Sequence, residues 1–226
     1  MLGFKLAIDG PSGAGKSTVS QLLTQKLNWF YLNTGLLFRA ITFTLLQNKI
    51  DYKNVQEREK LNSFLSRIDI QVDKNIIYVD NQDITSFLNT QTIENKISYI
   101  AGISSVREKI LILQQNLIQK YSYIIMDGRD IGTVIMPQAD LKIFLTASIT
   151  ERANRKQKNT FASFISLSKM IEYINQRDQK DMKRTNSPLI KASDAILIDT
   201  TNLSINKVTD IILKLIRKKQ ENSHAF

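Results

Sequence analysis

The sequence predicts an α/β fold in which a parallel sheet of about five strands has helices on both faces. Short apolar runs, typical of buried strands, alternate with longer segments whose apolar residues recur at helical spacing. The first apolar run leads into a glycine-rich turn and then a helical segment, as in a parallel α/β unit. The length of 226 residues fits one domain with an insertion.

Two strand–helix pairs are predicted in the first part of the chain. The run from Phe4 to Ile8 enters Asp9 as a buried strand, and Lys16 to Leu27 carries apolar residues at helical spacing. A second apolar run spans Trp29 to Leu32, and the helical period returns from Leu36 to Leu46. This order favours parallel strands joined by helices.

The middle of the chain departs from this order. Apolar and polar residues alternate from Ile68 to Val72, Asp73 to Asn75 is a turn sequence, and Ile76 to Val79 is a second strand-like run. We therefore predict a small antiparallel insert at roughly residues 62–90, followed by two helical stretches that end near Lys120.

The α/β order then resumes. Strands are predicted at Tyr123 to Met126, Leu141 to Leu145 and Ala195 to Ile198, with basic helical segments between the last two. Leu203 to Lys219 is predicted as a final amphipathic helix with a basic end.

Composition excludes several classes of protein. The chain has no cysteine and a single histidine, His224, which excludes disulfide scaffolds, thiolate zinc sites and Ser-His-Asp catalysis. No apolar run approaches the roughly 20 residues of a membrane span, and no signal peptide is recognisable. A cytoplasmic, soluble protein without a membrane partner is expected. The net charge of +10, taken alone, favours an anionic partner, such as nucleic acid, a membrane surface or small phosphates.

A phosphate-binding loop is the most informative motif. The segment Gly10-Pro11-Ser12-Gly13-Ala14-Gly15-Lys16-Ser17 matches G-x-x-x-x-G-K-[ST] in full, between a strand and a helix. Backbone N–H groups and the helix N-terminus would surround phosphate oxygens. Lys16 would reach the β- and γ-phosphates of a nucleotide, and the Ser17 hydroxyl would bind Mg²⁺. We include Thr18 in this nucleotide-binding segment.

A carboxylate follows the strand from Tyr123 to Met126. Asp127 has the position of a Walker B aspartate, which would hold Mg²⁺ directly or through water beside the phosphate loop. Asn48 to Asp51 fits the guanine-binding pattern N-K-x-D, but it follows the phosphate loop too closely for a GTPase. Asp127 is also followed by Gly-Arg-Asp rather than by the D-x-x-G switch, so we reject a guanine-nucleotide switch.

Arginines suited to phosphoryl transfer occur in predicted loops and helix ends. The donor and acceptor phosphates repel each other, and guanidinium groups contact phosphate oxygens in a bidentate way while staying charged. The candidates are Arg39, Arg107, Arg129, Arg152, Arg155, Arg177 and Arg184. Arg129 is favoured because it lies beside Asp127 in a short glycine turn. Arg152 and Arg155 lie on a basic helix that could close over the donor.

These segments together resemble the bacterial cytidylate kinases over nearly the whole chain. The most specific of them is Met126-Asp127-Gly128-Arg129-Asp130-Ile131-Gly132-Thr133-Val134. The other matching segments are Ile8–Ser17, Asn33–Ala40, Val106–Glu108, Lys142–Leu145, Glu151–Arg155, Gln176–Asp178, Ser187–Leu189, Ala192–Ala195 and Asp199–Thr200.

The resemblance implies Mg²⁺-dependent transfer of phosphate from ATP directly, in line, to CMP and dCMP. It implies a doubly wound P-loop core at residues 1–60 and 102–226, with a helical lid at about residues 152–166. An insert at residues 61–101 would bind the nucleoside monophosphate. A monomer without a specific nucleic-acid partner is expected.

The resemblance also implies roles for individual residues. Arg152 and Arg155 would be lid arginines that contact ATP, and Arg177 would lie near the transferred phosphate. The CMP-binding set would be Thr34, Phe38, Arg39, Ser98, Arg107, Arg129, Asp130, Asp181 and Arg184. The catalytic set would be Lys16, Arg129, Arg155 and Arg177. Because the acceptor oxygen is already anionic, no strong general base is needed.

Four residues depart from the family pattern. Phe38 stands where tyrosine is usual, Asn33 where aspartate is common, and Asn89 and Thr92 where arginine and glutamate are usual. We predict weaker acceptor binding with the chemistry retained. The sequence leaves open the ratio of CMP to dCMP activity, the use of UMP and the range of phosphate donors.

Other functions remain possible from the residues alone. A small P-loop kinase for AMP, dTMP or shikimate would share the phosphate loop and the lid arginines. The net charge and the basic C-terminal residues would also suit a nucleotide-dependent RNA-binding protein, although no RNA-binding motif is present. The basic residues are Lys214, Arg217, Lys218 and Lys219. A P-loop protein that binds without catalysis is disfavoured by the arginines beyond the loop.

Overall fold

The computed structural model describes residues 3–74, 76–159 and 165–223. The chain divides into two compact units: the first comprises Met1–Leu32 with Tyr121–Phe226, and the second is Asn33–Lys120. The strands are β1 (Phe4–Asp9), β2 (Phe30–Asn33), β3 (Ile70–Asp73), β4 (Ile76–Val79), β5 (Gln82–Asp83), β6 (Tyr123–Gly128), β7 (Leu141–Thr146) and β8 (Ile196–Asp199). The helices are α1 (Lys16–Leu27), α2 (Thr34–Gln47), α3 (Arg58–Arg67), α4 (Gln91–Ile100), α5 (Ser104–Lys120), α6 (Ile149–Asn159), α7 (Leu167–Lys183) and α8 (Ile205–Ser223).

The first unit is built on the predicted five-stranded sheet, in the order β2-β6-β1-β7-β8. Strand β1 pairs in parallel with both β6 and β7, and β7 pairs in parallel with β8. The central strand is apolar because both of its faces are covered: Leu6, Ala7 and Ile8 are completely buried. The α/β prediction is therefore confirmed.

Helices α1 and α8 pack against each other and contribute to the core beside the sheet. Val19 and Leu23 of α1 and Ile212 of α8 are fully buried in this cluster. Each such side chain contributes roughly 1.5–3 kcal/mol by leaving water. The packing fixes the start of α1 at the carboxyl end of β1, where the phosphate loop lies.

The second unit contains the predicted antiparallel sheet, in the order β3-β4-β5. Strands β3 and β4 pair so that Ile70 faces Val79 and Asp73 faces Ile76. The buried side chains of Ile70, Ile77 and Val79 explain the alternating pattern in the sequence. The short strand β5 was not predicted, and the boundaries 61–101 for a nucleotide-binding insert stay a prediction.

The first two helices agree closely with the sequence pattern, whereas α3 was not predicted and overlaps the predicted antiparallel insert, and α8 begins two and ends four residues later than predicted. Helix α1 has the predicted bounds, whereas α2 begins two residues early because the Asn33 side chain caps it by accepting the Gly35 amide at 3.0 Å. Residues 160–164 of the predicted lid (residues 152–166) lie outside the described part of the chain. His224, near the C-terminus, also lies outside it. Within the described ranges, no helix is long and apolar enough to cross a membrane.

Candidate active site

The phosphate loop lies between β1 and α1 with the backbone geometry its glycines allow. Gly13 has a φ of 78°, in the left-handed region, and a Cβ there would lie 2.8 Å from the carbonyl oxygen of Arg152. Such a contact is too short for any side chain, so the loop requires glycine at this position. Because the first N–H groups of any helix point away from the helical hydrogen bonds, the start of α1 is suited to bind an anion.

Lys16 is buried at the base of this loop. Its Nζ donates a hydrogen bond to the carbonyl oxygen of Pro11 at 2.9 Å. Burial lowers the pKa of Lys16 well below its ordinary value, and the positive charges of Arg129 and Arg177 lower it further, against the opposing effect of Asp127. Several positive charges therefore act on one buried position, an arrangement that a phosphate group would stabilise.

Ser17 and Asp127 lie together, as the sequence predicted. The Ser17 hydroxyl donates to Asp127 Oδ2 at 2.7 Å, and the Tyr31 hydroxyl donates to Oδ1 at 3.1 Å. Parallel pairing places Asp127 opposite Ile8 near the end of β1. Burial raises the pKa of Asp127, and the charge of Lys16 opposes that rise. Tyr31 was missed because a tyrosine in an apolar strand does not indicate where its hydroxyl will bond.

The oxygens of Ser17 and Asp127 suit Mg²⁺, which prefers hard oxygen ligands. Among the described residues, no cluster of three carboxylate, histidine or cysteine side chains could form a metal site from protein ligands alone. The donor set fits the ion that the motif predicts.

The first unit brings four predicted acceptor residues together. Arg129 Nε donates to Asp181 Oδ2 at 2.9 Å. Arg184 lies 3.9 Å from both Asp181 and Asp130. Although burial alone would raise the pKa of Asp181, the guanidinium groups of Arg129, Arg177 and Arg184 hold it below its ordinary value. The cluster combines arginines able to bind phosphate with carboxylates that orient them.

Arg152 is buried against the phosphate loop. Its guanidinium donates to the carbonyl oxygens of Ala147 and Ser12 at 3.0 and 3.1 Å and forms an ion pair with Asp178. Asp178 also accepts the Ser12 amide at 3.3 Å. The Arg152–Asp178 pair therefore bonds to both the carbonyl oxygen and the amide of Ser12. Asp178 was not predicted as a site residue, and the role of Arg152 in ATP binding stays a prediction.

Arg155 lies one helical turn further along α6. It donates to Glu151 at 2.8 Å and to the side-chain and backbone oxygens of Thr200 at 2.9 and 2.7 Å. The Thr200 hydroxyl in turn donates to the carbonyl oxygens of Thr146 and Ala14, at 2.9 and 3.4 Å. Arg155 is therefore connected to the phosphate loop through Thr200.

The other predicted acceptor residues lie in the second unit. Arg39 forms an ion pair with Glu94 and donates to the carbonyl oxygen of Leu88 at 3.0 Å. The Arg107 guanidinium lies 5.3 Å from the centre of the Phe38 ring, within range of a cation–π interaction. Thr34 is buried and Ser98 is half-buried. Asn89 and Thr92 are exposed at the beginning of α4. Glu94 was not predicted.

Asp9, at the end of β1, was also absent from the predicted site. Its carboxylate is 4% exposed and accepts the Ile131 and Gly132 amides at 2.9 and 2.7 Å. Burial raises the pKa of Asp9 from 3.8 to about 6, although the two amides and the charge of Lys16 act in the opposite direction.

The raised pKa predicts how stability changes with pH. Because Asp9 binds its proton more tightly in the folded protein, its contribution is fully present below about pH 4 and is lost as pH rises through 6. From about pH 4.5 to 7.5, the free energy of unfolding should fall by about 2 kcal/mol more in the wild type than in Asp9→Asn. Urea unfolding at several pH values measures this difference. Equal pH dependence in the two proteins would contradict it.

Comparisons with known proteins decide the family. The family model described as "Cytidylate kinase" matches residues 6–218. The chain belongs to the cytidylate kinase family. This match covers the phosphate loop, the Asp127–Asp130 turn, and helices α6 and α7, which carry Arg152, Arg155 and Arg177. The resemblance found in the sequence is therefore confirmed.

Relatives of the cytidylate kinase family align over nearly the full chain. A protein named cytidylate kinase from Phytoplasma mali is 45% identical over 233 residues and covers all of both chains. One of the same name from Bacillus subtilis is 43% identical over 220 residues, covering 95% of this chain and 96% of the relative. The solved structure of a gluconokinase from Sinorhizobium meliloti has a TM-score of 0.51 at 11% identity, covering 99% and 97% of the two chains. This last likeness supports the fold alone.

Proposed function

We propose that this protein transfers the γ-phosphoryl group of ATP to CMP and dCMP, giving CDP and dCDP. The observation that carries the proposal is the positive charge gathered at the phosphate loop, where Arg129 and Arg177 act on the buried Lys16. The carboxylates of Asp127 and Asp9 oppose this effect, and the phosphates of a donor and an acceptor would stabilise the charged ammonium further. Membership of the cytidylate kinase family supplies the choice of acceptor.

The donor would be held by the phosphate loop. The backbone amides from Gly10 to Thr18 would bind the phosphate oxygens of ATP, and Lys16 would exchange its bond to Pro11 for the β- and γ-phosphates. Arg155 of α6 would contact the donor. Arg152 of the same helix would do so after its ion pair with Asp178 breaks. Ser17 and Asp127 would hold Mg²⁺, directly or through water, and the ion would neutralise charge on the phosphates.

The family resemblance supplies the proposed acceptor-binding residues. Arg129 and Arg184, oriented by Asp130 and Asp181, would bind the phosphate and sugar of CMP. The other residues to which the resemblance gives an acceptor-binding role are Thr34, Phe38, Arg39, Ser98 and Arg107. Since a CMP phosphate oxygen is already a nucleophile, the protein's task is to align it with the γ-phosphate and to neutralise charge. Arg177 would act on the transferred group.

A coupled assay of ADP release tests the choice of acceptor. The protein would be given ATP and Mg²⁺ with CMP, dCMP, UMP, AMP, GMP or dTMP in separate reactions. We expect turnover with CMP and dCMP far above that with the others. Faster turnover with AMP or dTMP would retain a P-loop kinase and reject the cytidine acceptor. Absence of turnover with all six, despite ATP binding, would reject the kinase reaction on these nucleotides.

Phe38→Tyr is expected to lower the KM for CMP. The substitution restores the hydroxyl that the family usually carries at this position, and one neutral hydrogen bond changes an affinity by about two- to tenfold. The value of kcat should change little, because the ring and its contact with Arg107 are retained. Phe43→Tyr is a matched control, since Phe43 lies on the same helix and stacks on Phe87. An unchanged KM in Phe38→Tyr would show that Phe38 does not limit acceptor binding.

A further inference from the structure

Asp9 connects the end of β1 to the turn that carries two proposed acceptor residues. It directly precedes Gly10 of the phosphate loop, and its backbone lies opposite Gly128 in the parallel pair of β1 and β6. Both carboxylate oxygens accept backbone amides beyond that strand, those of Ile131 and Gly132. A single side chain thus links the two segments on which donor and acceptor binding depend.

The second segment, which follows Arg129 and Asp130, is held through both its amides and its carbonyl groups. Residues Ile131–Ile135 form one wide helical turn, in which the Asp130 carbonyl accepts from the Val134 and Ile135 amides at 2.9 and 3.2 Å. These bonds hold the carbonyl end of Asp130. The Asp9 carboxylate holds the two amides that follow it, so the turn after Arg129 and Asp130 is fixed from both directions.

Burying the charged carboxylate of Asp9 lowers the stability of the folded protein. Asp9 is almost completely buried, and the like charge of Asp130 adds to the unfavourable effect of burial. The positive charge of Lys16 offsets only part of this unfavourable effect. The aliphatic chain of Lys142 packs against Gly132. A carboxylate that costs stability but makes two short amide bonds is best explained by what those bonds position.

We propose that Asp9 is a positioning residue for the acceptor nucleotide, holding the turn of residues 128–132 so that Arg129 faces the acceptor phosphate and Asp130 stays in place to orient the arginines that bind it. The inference rests on the proposed function, because the acceptor roles of Arg129 and Asp130 belong to it. Asp9 itself touches neither substrate: it acts through the Ile131 and Gly132 amides.

Asp9→Asn tests this inference through the two KM values. The amide side chain can accept only one of the two backbone N–H groups, and its NH₂ group faces the other. We expect the KM for the acceptor to rise about tenfold, the size typical of losing one buried bond to a charged group, while the KM for ATP stays within about twofold. Amide hydrogen exchange at Ile131 or Gly132 should become faster.

Asp140→Asn is the matched control. Asp140 accepts the Lys5 amide at 2.7 Å near the beginning of the same strand, outside the proposed substrate-binding residues. Its substitution should leave both KM values, and the exchange of Ile131 and Gly132, unchanged. The comparison separates a specific effect of Asp9 from the loss of any aspartate–amide bond on β1.

A second variant covers the case in which Asp9→Asn does not fold. In Gly132→Ala, the new Cβ would lie 3.2 Å from Lys142 Cδ, so the lysine chain and the turn must separate by a few tenths of an ångström, while the 3.4 Å contact with Asp9 Oδ2 is ordinary. A smaller rise in the acceptor KM, again without a change in the KM for ATP, is expected.

Two results would overturn the inference: an unchanged acceptor KM in the folded variants, or equal increases in the KM values of acceptor and ATP. A purely structural role would lower the amount of active enzyme and leave the acceptor KM unchanged. If the wild type prefers another monophosphate to CMP, the proposed function fails, and the same comparison with that nucleotide still decides the role of Asp9.

Discussion

Lys16→Met is expected to lower kcat/KM for ATP by about 10³-fold or more, because the variant loses the buried charge that we propose to act on the transferred phosphoryl group. Lys16 is buried, and burial with the neighbouring arginines already lowers its pKa. The phosphates of bound ATP would raise the pKa of Lys16 again, because their negative charge favours the charged ammonium group. Methionine has a similar length and fits an apolar surrounding, so the fold should be retained. Steady-state kinetics with varied ATP and saturating CMP measure the effect.

Lys26→Met is the control for this prediction. Lys26 lies on the same helix but is exposed in its last turn, so its substitution removes the same charge far from the loop. We expect less than a twofold change in kcat/KM. Similar losses in Lys16→Met and Lys26→Met would mean that overall charge, rather than the position of Lys16, determines the rate.

Arg129→Met is expected to reduce kcat/KM for CMP by about 10²-fold, the effect of removing one preorganised charge that stabilises the transition state. Arg129 donates to Asp181 at 2.9 Å and acts electrostatically on Lys16 and Asp127. Without Arg129, only the positive charges of Arg177 and Arg184 among these three arginines would act on Asp181. Kinetics with varied CMP should therefore show a large effect, while the KM for ATP changes much less.

Arg217→Met provides the matched control, because Arg217 is an exposed arginine of α8. Its kinetics should resemble the wild type. A double-mutant cycle with Asp181→Asn tests the contact itself: the two substitutions should be less than additive, since each one breaks the same ion pair. Additive effects, or an Arg129→Met enzyme within about threefold of wild type, would exclude Arg129 from a central role.

Local patterns predicted the phosphate loop and its helix because the relevant interactions lie within one short segment. The loop pattern defines both where β1 ends and where α1 begins at Lys16, and the structure has that boundary. Asp127 could also be predicted beside the loop, since parallel strands end at the same edge of a sheet. Both predictions rest on rules that need no knowledge of distant side chains.

Residues whose partners are remote in sequence could not be predicted in this way. Asp9, Tyr31 and Asp178 bond to atoms 122, 96 and 166 residues away. The sequence around each of these residues does not indicate which group its side chain will meet. Only the folded register of the sheet and the packing of α7 bring the partners together.

The position of Arg152 is a further example. The basic segment of α6 did not indicate that the Arg152 guanidinium contacts Ser12 and pairs with Asp178. The role of Arg152 toward the donor stays a prediction. Asp178 lies on α7, and the contact arises because α6 and α7 pack closely together. Sequence spacing predicts which face of a helix carries charge, but not which neighbouring helix will bind it.

Transfer of labelled phosphate tests the central claim most directly. ATP labelled in its γ-phosphate would be incubated with the protein, Mg²⁺ and CMP, and the products would be separated by chromatography. We predict that the label appears in CDP, in an amount equal to the ADP formed, because the acceptor phosphate attacks the γ-phosphate directly. Label found only in inorganic phosphate, with CMP unchanged, would contradict phosphoryl transfer to the nucleotide.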